Sequence, residues 1–203
     1  KGLDCRLLSS QPFVMTPLEA QQLLDHAECV ASAETVQAAI DRLGAELSVA
    51  LGKEFALVLA VMGGAVVFAG QLLPRLGFPL EFDFLHVTRY RGETRGGEME
   101  WRVLPGQNVV GRGVLVLDDI LDGGETLAAI RGKLLDMGAA RVWSAVLTDK
   151  ANGLVKPVRA DFVGLDVPDR YVFGCGMDAY GLWRNLPAIY ALNPDVPSGY
   201  KDQ

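Results

Sequence analysis

Histidine and cysteine are scarce in this chain of 203 residues, and that scarcity excludes several kinds of protein. The two histidines, His26 and His86, stand alone, with no metal-ligand cluster around either. Three cysteines, Cys5, Cys29 and Cys175, are an odd number without metal or redox spacing, which argues against a disulfide framework and suits reduced thiols in the cytoplasm. Long apolar runs are missing as well: the longest, Ala56 to Gly70, falls short of the roughly 20 residues a membrane helix needs and is broken at Gly63-Gly64. No cluster of Lys and Arg dominates. The formal net charge is −6, so nucleic acid is not expected as a partner, because phosphate neutralisation requires gathered cations. The first residues show no basic region followed by an apolar run, so no secretory leader is expected, and the absent initiator Met reads as a trimmed or engineered start. Half of the chain is hydrophobic, enough for one well-buried core, and a single domain is expected over residues 1–203.

The most informative stretch runs from Val114 to Leu127. Val114-Leu115-Val116-Leu117 is too short an apolar run for a helix but suits a buried parallel strand, and a helical pattern follows from Thr126 to Met137. Between them lie three carboxylates, Asp118, Asp119 and Asp122, and the pair Gly123-Gly124. A strand, an acidic turn and a helix start are implied. Amide N–H groups at a helix N-terminus bind phosphate, the two glycines let the backbone approach it, and the Thr126 hydroxyl can donate one more hydrogen bond. Carboxylates do not suit that phosphate. They suit ribose hydroxyls, a hydrated Mg²⁺ or a proton in transit, so the unit reads as a site for a phosphorylated sugar.

Around it, Thr16-Pro17-Leu18-Glu19 forms a capping box that opens a helix, with Leu18, Leu23, Leu24, Ala27 and Val30 as its buried stripe. A second amphipathic helix is expected over Ala33 to Leu51, with Val36, Ile40, Leu43 and Leu47 facing inward. Ala56 to Val61 reads as a strand, Met62-Gly63-Gly64 as a tight turn, and Ala65 to Leu73 as a helix that Pro74 helps to end. Glu81 to Val87 is the next strand, followed by a loop and an alternating strand, Met99 to Leu104, with Met99, Trp101 and Val103 on one face. Further strands are expected at Val142 to Leu147, Phe162 to Leu165, Tyr171 to Phe173 and Ala188 to Leu192. Strands alternating with helices imply an α/β fold with a mainly parallel central sheet flanked by helices.

In such a sheet, ligands gather at the carboxyl ends of the strands, where four of these segments lie. The pattern resembles the type I phosphoribosyltransferases, most closely the hypoxanthine-guanine phosphoribosyltransferases, over nearly the whole chain after the two opening helices. Its centre is the family's motif for phosphoribosyl pyrophosphate (PRPP): an apolar strand, an acidic pair, two aliphatics, Asp, a small residue, Gly, any residue and Thr, matched here from Val114 to Thr126. A second block, Lys150 through Arg184, holds the family's spacings without a gap. The resemblance implies a type I phosphoribosyltransferase fold: N-terminal helices in 1–52, a core in 53–150 with a mobile loop at 88–100, and a small hood with the C-terminal strands in 151–203.

The resemblance also implies roles. The loop Asp122, Gly123, Gly124, Glu125 and Thr126 holds the 5′-phosphate, while Asp118 and Asp119 face the ribose hydroxyls or their metal. Asp122 handles the proton on the purine N7 as the base attacks and pyrophosphate leaves; by position alone it could equally cap the helix after it. Lys150 meets the purine 6-oxygen, Tyr171 stacks on the base, and the main chain of Val172 reads its Watson–Crick edge. An ammonium favours a keto oxygen over an amino group, which would set donor against donor, so 6-oxopurines rather than adenine are expected. On its own, Lys150 could be a solvated lysine after a strand and Tyr171 a core residue. Asp178 contacts Mg²⁺, near the purine, and Arg184 the pyrophosphate; alone, this pair would read as a surface salt bridge. Met62, Gly63 and Gly64 form the pyrophosphate loop, or an ordinary glycine turn. Arg89 and Tyr90 sit in a loop that closes over the reaction and excludes water, unless it is a plain solvated hairpin loop.

Three positions depart from the family pattern. Met62 stands where a basic residue is common, Arg89-Tyr90 replaces a Ser-Tyr pair, and Gly123 replaces Thr or Ser. The expected protein is a cytoplasmic, Mg²⁺-dependent purine-salvage enzyme acting on small molecules, with no membrane partner and a homo-oligomeric assembly, dimer or tetramer. Two rivals stay open: a sister transferase with another base preference, such as xanthine, and a non-catalytic protein that senses purines or the activated sugar.

Overall fold

The computed structural model describes residues 15–89 and 99–193. Helix α1, Pro17–Asp25, opens on the expected capping box, the Thr16 side chain accepting from the Glu19 amide while the Glu19 carboxylate accepts from the Thr16 amide at 2.7 Å. It stops sooner than the apolar spacing suggests. Residues Glu28–Ala31 leave the helix as strand β1, so Ala27 and Val30 are not part of its stripe, and Leu18 is 68% exposed. Ala20 and Leu23 are the residues that α1 buries.

Helix α2, Ala33–Leu51, follows its prediction: Ser32 caps it and Val36, Ile40, Leu43, Leu47 and Leu51 are buried along one stripe. Strand β2, Leu57–Met62, leads through the turn at Gly63-Gly64 into α3, Ala65–Leu72, which ends in a 3₁₀ turn over Leu73–Arg75. Strands β3, Glu81–Arg89, and β4, Met99–Val103, pair antiparallel as the expected hairpin. Val103, however, is 38% exposed and does not share the inner face with Met99 and Trp101. The pairing steps one residue on β3 for two on β4, from His86↔Val103 to Val87↔Trp101, and a bulge of this kind inverts the alternation.

Strand β5, Gly113–Leu121, is followed by α4, Glu125–Asp136, and β6, Arg141–Ala151; then come β7, Phe162–Pro168, β8, Val172–Phe173, and β9, Ile189–Ala191. The main sheet has the order β4-β3-β2-β5-β6-β7, with every pairing parallel except β3 with β4. Helices α2 and α3 pack together on this sheet, and α4 packs on β6. The crossovers β2-α3-β3 and β5-α4-β6 run in opposite directions along the sheet, so right-handed connections put α3 and α4 on opposite faces. That double cover explains why Leu57 to Val61 and Val114 to Leu117 are buried continuously instead of alternating. A second sheet, β1-β9-β8, forms the hood, with its own small core around Leu23, Phe173 and Ala179.

Candidate active site

The two crossovers diverge between β2 and β5, and in an open α/β sheet the crevice at such a switch point is where ligands bind. The loops that begin there are Met62-Gly63-Gly64 and the acidic segment from Asp118 to Thr126. They touch: a Cβ at Gly64 would lie 1.9 Å from an Asp119 carboxylate oxygen. Only glycine admits that carboxylate, whereas a Cβ at Gly63 would meet open space.

Asp118 is buried at the end of β5, and its Oδ1 accepts from the Asp119 amide at 3.0 Å. Burial, and then the neighbouring charge of Asp119, push the Asp118 carboxyl well above the usual carboxylate range. Burial also raises Asp119, against the pull of hydrogen bonds and of the Arg184 guanidinium. Two adjacent carboxylates with too little water and one distant cation form a locus short of positive charge. Their oxygen donors suit a hard divalent cation, which binds through one or two carboxylates and completes its shell with substrate oxygens and water. Among the described residues no group of three or more His, Cys, Asp or Glu could hold a metal without such help.

The N-cap of helix α4 is Gly124, whose φ of 88° is left-handed and which makes no side-chain capping bond. Asp122 is therefore not the cap of α4. Its carboxylate accepts instead from Lys150 Nζ, 2.8 Å from Oδ2, and from Asn152 Nδ2, 3.2 Å from Oδ1; Asn152 also donates to the Asp122 carbonyl at 3.1 Å. Strand β6 runs on to Ala151, four residues beyond the expected end at Leu147, so Lys150 lies within the strand, its side chain 13% exposed. The solvated-lysine alternative fails on that point. At Gly123, a Cβ would lie 2.3 Å from Glu125 Oε2: the room left by the missing Thr or Ser side chain is filled by the Glu125 carboxylate.

The hood supplies the remaining residues. Tyr171 stacks on Tyr180, with ring centroids 5.8 Å apart, and is 42% exposed, so it is not a core residue. Strand β8 is an edge strand. The Leu192 amide donates to the Tyr171 carbonyl at 2.9 Å, and Val172 pairs with Ala191 one step further on. Hydrogen-bonded and non-bonded pairs alternate in an antiparallel ladder, so the Val172 N–H and C=O point away from β9, toward the open edge. Arg184 Nη2 lies 2.5 Å from Asp178 Oδ1, Arg184 Nη1 donates to the Gly176 carbonyl at 2.6 Å, and Asp178 Oδ2 accepts from the Gly181 amide at 2.7 Å. The salt-bridge reading of this pair is thus realised, and it closes the loop that carries both residues. This loop reaches the other side of the crevice, since a Cβ at Gly176 would lie 1.9 Å from the Gly64 carbonyl oxygen.

Asp118, Asp119, Asp122 and Lys150 therefore share the strand ends, and Asp178 and Arg184 join them through the Gly176–Gly64 contact. Tyr90 and the rest of the segment 90–98 lie outside the described residues; Arg89 closes β3, and Met99 and Glu100 open β4, so 88–100 is not all loop. Sequence reasoning missed Asn152, which holds Asp122, Thr148, whose hydroxyl donates to the Asp119 carbonyl at 3.0 Å, and Lys156. Most of their partners are main-chain carbonyls, which leave no signal in residue type. Gly176 had one, since Gly174-Cys175-Gly176 is a plain sign of close backbone approach.

An open sheet of this order, with an acidic phosphate-type loop at its switch point and a separate hood, is the architecture of a type I phosphoribosyltransferase. A model of the phosphoribosyl transferase domain matches residues 27–180, and the chain belongs to that family. Its relatives are more particular. It is 35% identical to the hypoxanthine-guanine phosphoribosyltransferase of Bacillus subtilis over 173 residues, 85% of this chain and 96% of the relative. The crystal structure of a hypoxanthine phosphoribosyltransferase from Staphylococcus aureus superposes with a TM-score of 0.81 at 30% identity, over 87% of this chain and 97% of that one. A hypoxanthine-guanine-xanthine phosphoribosyltransferase structure gives 0.75 at 30% identity, over 83% and 99%.

Proposed function

We infer that this protein is a purine-salvage enzyme that transfers the 5-phosphoribosyl group from PRPP to hypoxanthine or guanine, giving IMP or GMP and pyrophosphate. The observation that carries this reading is the 2.8 Å contact between Lys150 Nζ and Asp122 Oδ2 at the ends of β6 and β5. In a 6-oxopurine, O6 and N7 are neighbours on one edge of the ring. A donor and a proton acceptor side by side match that edge: Lys150 donates to O6 while Asp122 accepts from N7–H. Adenine would turn an amino group toward the ammonium and leave both donors unpaired.

As the purine nitrogen attacks the ribose carbon and the bond to pyrophosphate breaks, the base becomes more acidic, and Asp122 takes the N7 proton. The same carboxylate stabilises the cationic character that develops on the sugar. The loop from Asp122 to Thr126 takes the 5′-phosphate. The exposed Glu125 carboxylate over Gly123 turns aside into solvent to admit that phosphate, since the two negative charges repel at that distance. Main-chain groups at Gly63 and Gly64 and the Arg184 guanidinium receive the pyrophosphate, Tyr171 takes one face of the base, and the outward N–H and C=O of Val172 read its far edge. Asp118 or Asp119 and Asp178, together with substrate oxygens, would hold a Mg²⁺ ion, which would supply charge neutralisation to the leaving group. The substrates are small and diffusible, which suits a cytoplasmic enzyme; no helix among the described residues is long and apolar enough to cross a membrane.

The test is incubation with PRPP, Mg²⁺ and each of hypoxanthine, guanine, xanthine and adenine, following nucleotide formation. Turnover with hypoxanthine or guanine is expected. No turnover with any base would sink the enzyme reading in favour of a sensor, and turnover with adenine alone would overturn the role of Lys150.

A further inference from the structure

Lys156 lies between β6 and β7, yet its side chain is only 11% exposed. Its ammonium donates to the Leu121 carbonyl at 2.8 Å and to the Lys150 carbonyl at 2.8 Å, and it pairs with the Asp149 carboxylate. An ammonium has three N–H donors, and here all three are taken by the protein. None is left for a substrate oxygen. Its three partners are not scattered: Leu121 directly precedes Asp122, Lys150 is the other half of the 2.8 Å pair, and Asp149 directly precedes Lys150 and lies opposite Leu121 in the β5–β6 ladder. Leu121↔Asp149 is also the last pairing between those strands. Beyond it the register shows no further pairing, and the ammonium of Lys156 bridges the two main chains at that point, beside the Asn152 side chain that donates to the Asp122 carbonyl. The stem of the same side chain supports the phosphate loop, since a Cβ at Gly124 would lie 3.2 Å from Lys156 Cβ.

We propose that Lys156 is a positioning residue for the transfer step, a buried cationic brace that continues the β5–β6 ladder and sets the spacing of Asp122 and Lys150. This rests on the phosphoribosyl-transfer reading. A brace of this kind acts on rate more than on affinity, because a misplacement of about 1 Å at a reacting group costs on the order of 10²-fold in rate. Lys156→Met is expected to lower kcat by about that factor while KM for PRPP and for hypoxanthine changes by less than about threefold. Because Lys156 works through Asp122, the same substitution in an Asp122→Asn background should lower kcat no further. Lys156→Cys should be as slow as Lys156→Met, and treatment with 2-bromoethylamine, which rebuilds an ammonium on a side chain of nearly the same length, should restore most of the rate; the wild-type protein treated in parallel controls for the other cysteines. If Lys156→Met does not fold, the double variant Lys156→Met, Asp149→Asn takes its place, as it leaves no half-buried carboxylate without its cation.

Unchanged kcat in Lys156→Met, a loss that falls on KM for PRPP instead, or full multiplication of the two losses in the Asp122→Asn background would each overturn the proposal. A wild-type protein that turns over no base would overturn the transfer reading itself, which is a different result from an active wild type with an equally active Lys156→Met.

Discussion

The sheet half and the hood half of this site are held by different means. On the sheet, Asp118 and Asp119 inherit their places from a parallel ladder that runs from Gly113↔Arg141 to Leu121↔Asp149, and Asp122 and Lys150 each follow one step beyond its last pairing. Among the described residues of the sheet half, every one with a left-handed φ is a glycine. In the hood, three residues other than glycine adopt that conformation: Cys175 at 51°, Tyr180 at 54° and Trp183 at 67°. Each costs roughly 1–2 kcal/mol relative to ordinary backbone and persists only where neighbours over-determine it. Those neighbours act through individual side-chain hydrogen bonds, one of them to a helix at the other end of the chain. Cys175 Sγ donates to the Pro187 carbonyl at 3.1 Å, Trp183 Nε1 donates to the Ala20 carbonyl of α1 at 2.9 Å, and Arg184 bonds both Asp178 and Gly176. The sheet thus places its groups by repetition, and the hood by particular contacts, so the same insult should have different consequences in the two halves.

The largest expected effect lies on the sheet and leaves stability alone. Asp122→Asn should lower kcat by about 10²–10⁴-fold, the usual worth of a positioned acid or base, with little change in KM or melting temperature. Unchanged turnover in steady-state assays would remove Asp122 from the chemistry. Next comes Gly176→Ala in the hood, where φ is 105° and the new Cβ would lie 1.9 Å from the Gly64 carbonyl oxygen. Strain and overlap together should cost on the order of 3 kcal/mol in urea unfolding. The control is Gly70→Ala in α3, where a Cβ meets nothing within 4 Å; it should gain about 0.5–1 kcal/mol. Equal midpoints for the two variants would erase the distinction drawn here.

A smaller effect follows from the buried acidic pair. Folded Asp118 keeps its proton to higher pH than the unfolded chain does, so the folded state binds more protons from about pH 4 upward through the raised value, and stability falls as pH rises across that window. Asp118→Asn has no charge to bury. In ligand-free protein it should raise the melting temperature by about 3 °C at pH 8, equivalent to about 1 kcal/mol, and hardly at all at pH 4. An equal shift at both pH values would show that charge burial is not the cause. The most confined change expected is Trp183→Phe, which deletes one hydrogen bond to α1, worth about 1 kcal/mol, and puts a phenyl ring in place of the indole. Hydrogen exchange should quicken within Pro17–Asp25 and stay the same in β2 and β5; a uniform increase would mean that hood and sheet are one cooperative unit.

The same division governs what could be read from the sequence. Periodicity and capping residues locate α2 to the residue and α1 at its start, and the run into Asp118 locates β5 and its acidic turn. These are local codes. Strand β1 escapes them because Glu28–Ala31 is four residues of mixed polarity that become a strand only by pairing with β9, far along the chain. Val103 escapes because a bulge at Arg102 leaves no mark in an alternating pattern. Left-handed Cys175, Tyr180 and Trp183 escape because turn chemistry announces itself through Gly or Asn. Lys156 and Asn152 escape because each reaches for carbonyl oxygens, which every residue has.

The outward-facing N–H and C=O of Val172 also bear on how this protein's choice of base can be studied or altered. A ligand gripped by those two groups is gripped by atoms common to nineteen of the twenty amino acids, so replacing the side chain leaves the contact intact. Alanine scanning would pass over position 172 in silence, and only proline, which lacks the N–H, would register. Any shift in base preference built on this edge has to come from re-aiming β8 as a whole, through its pairing with β9, which places the sequence determinants of selectivity in residues that never touch the base.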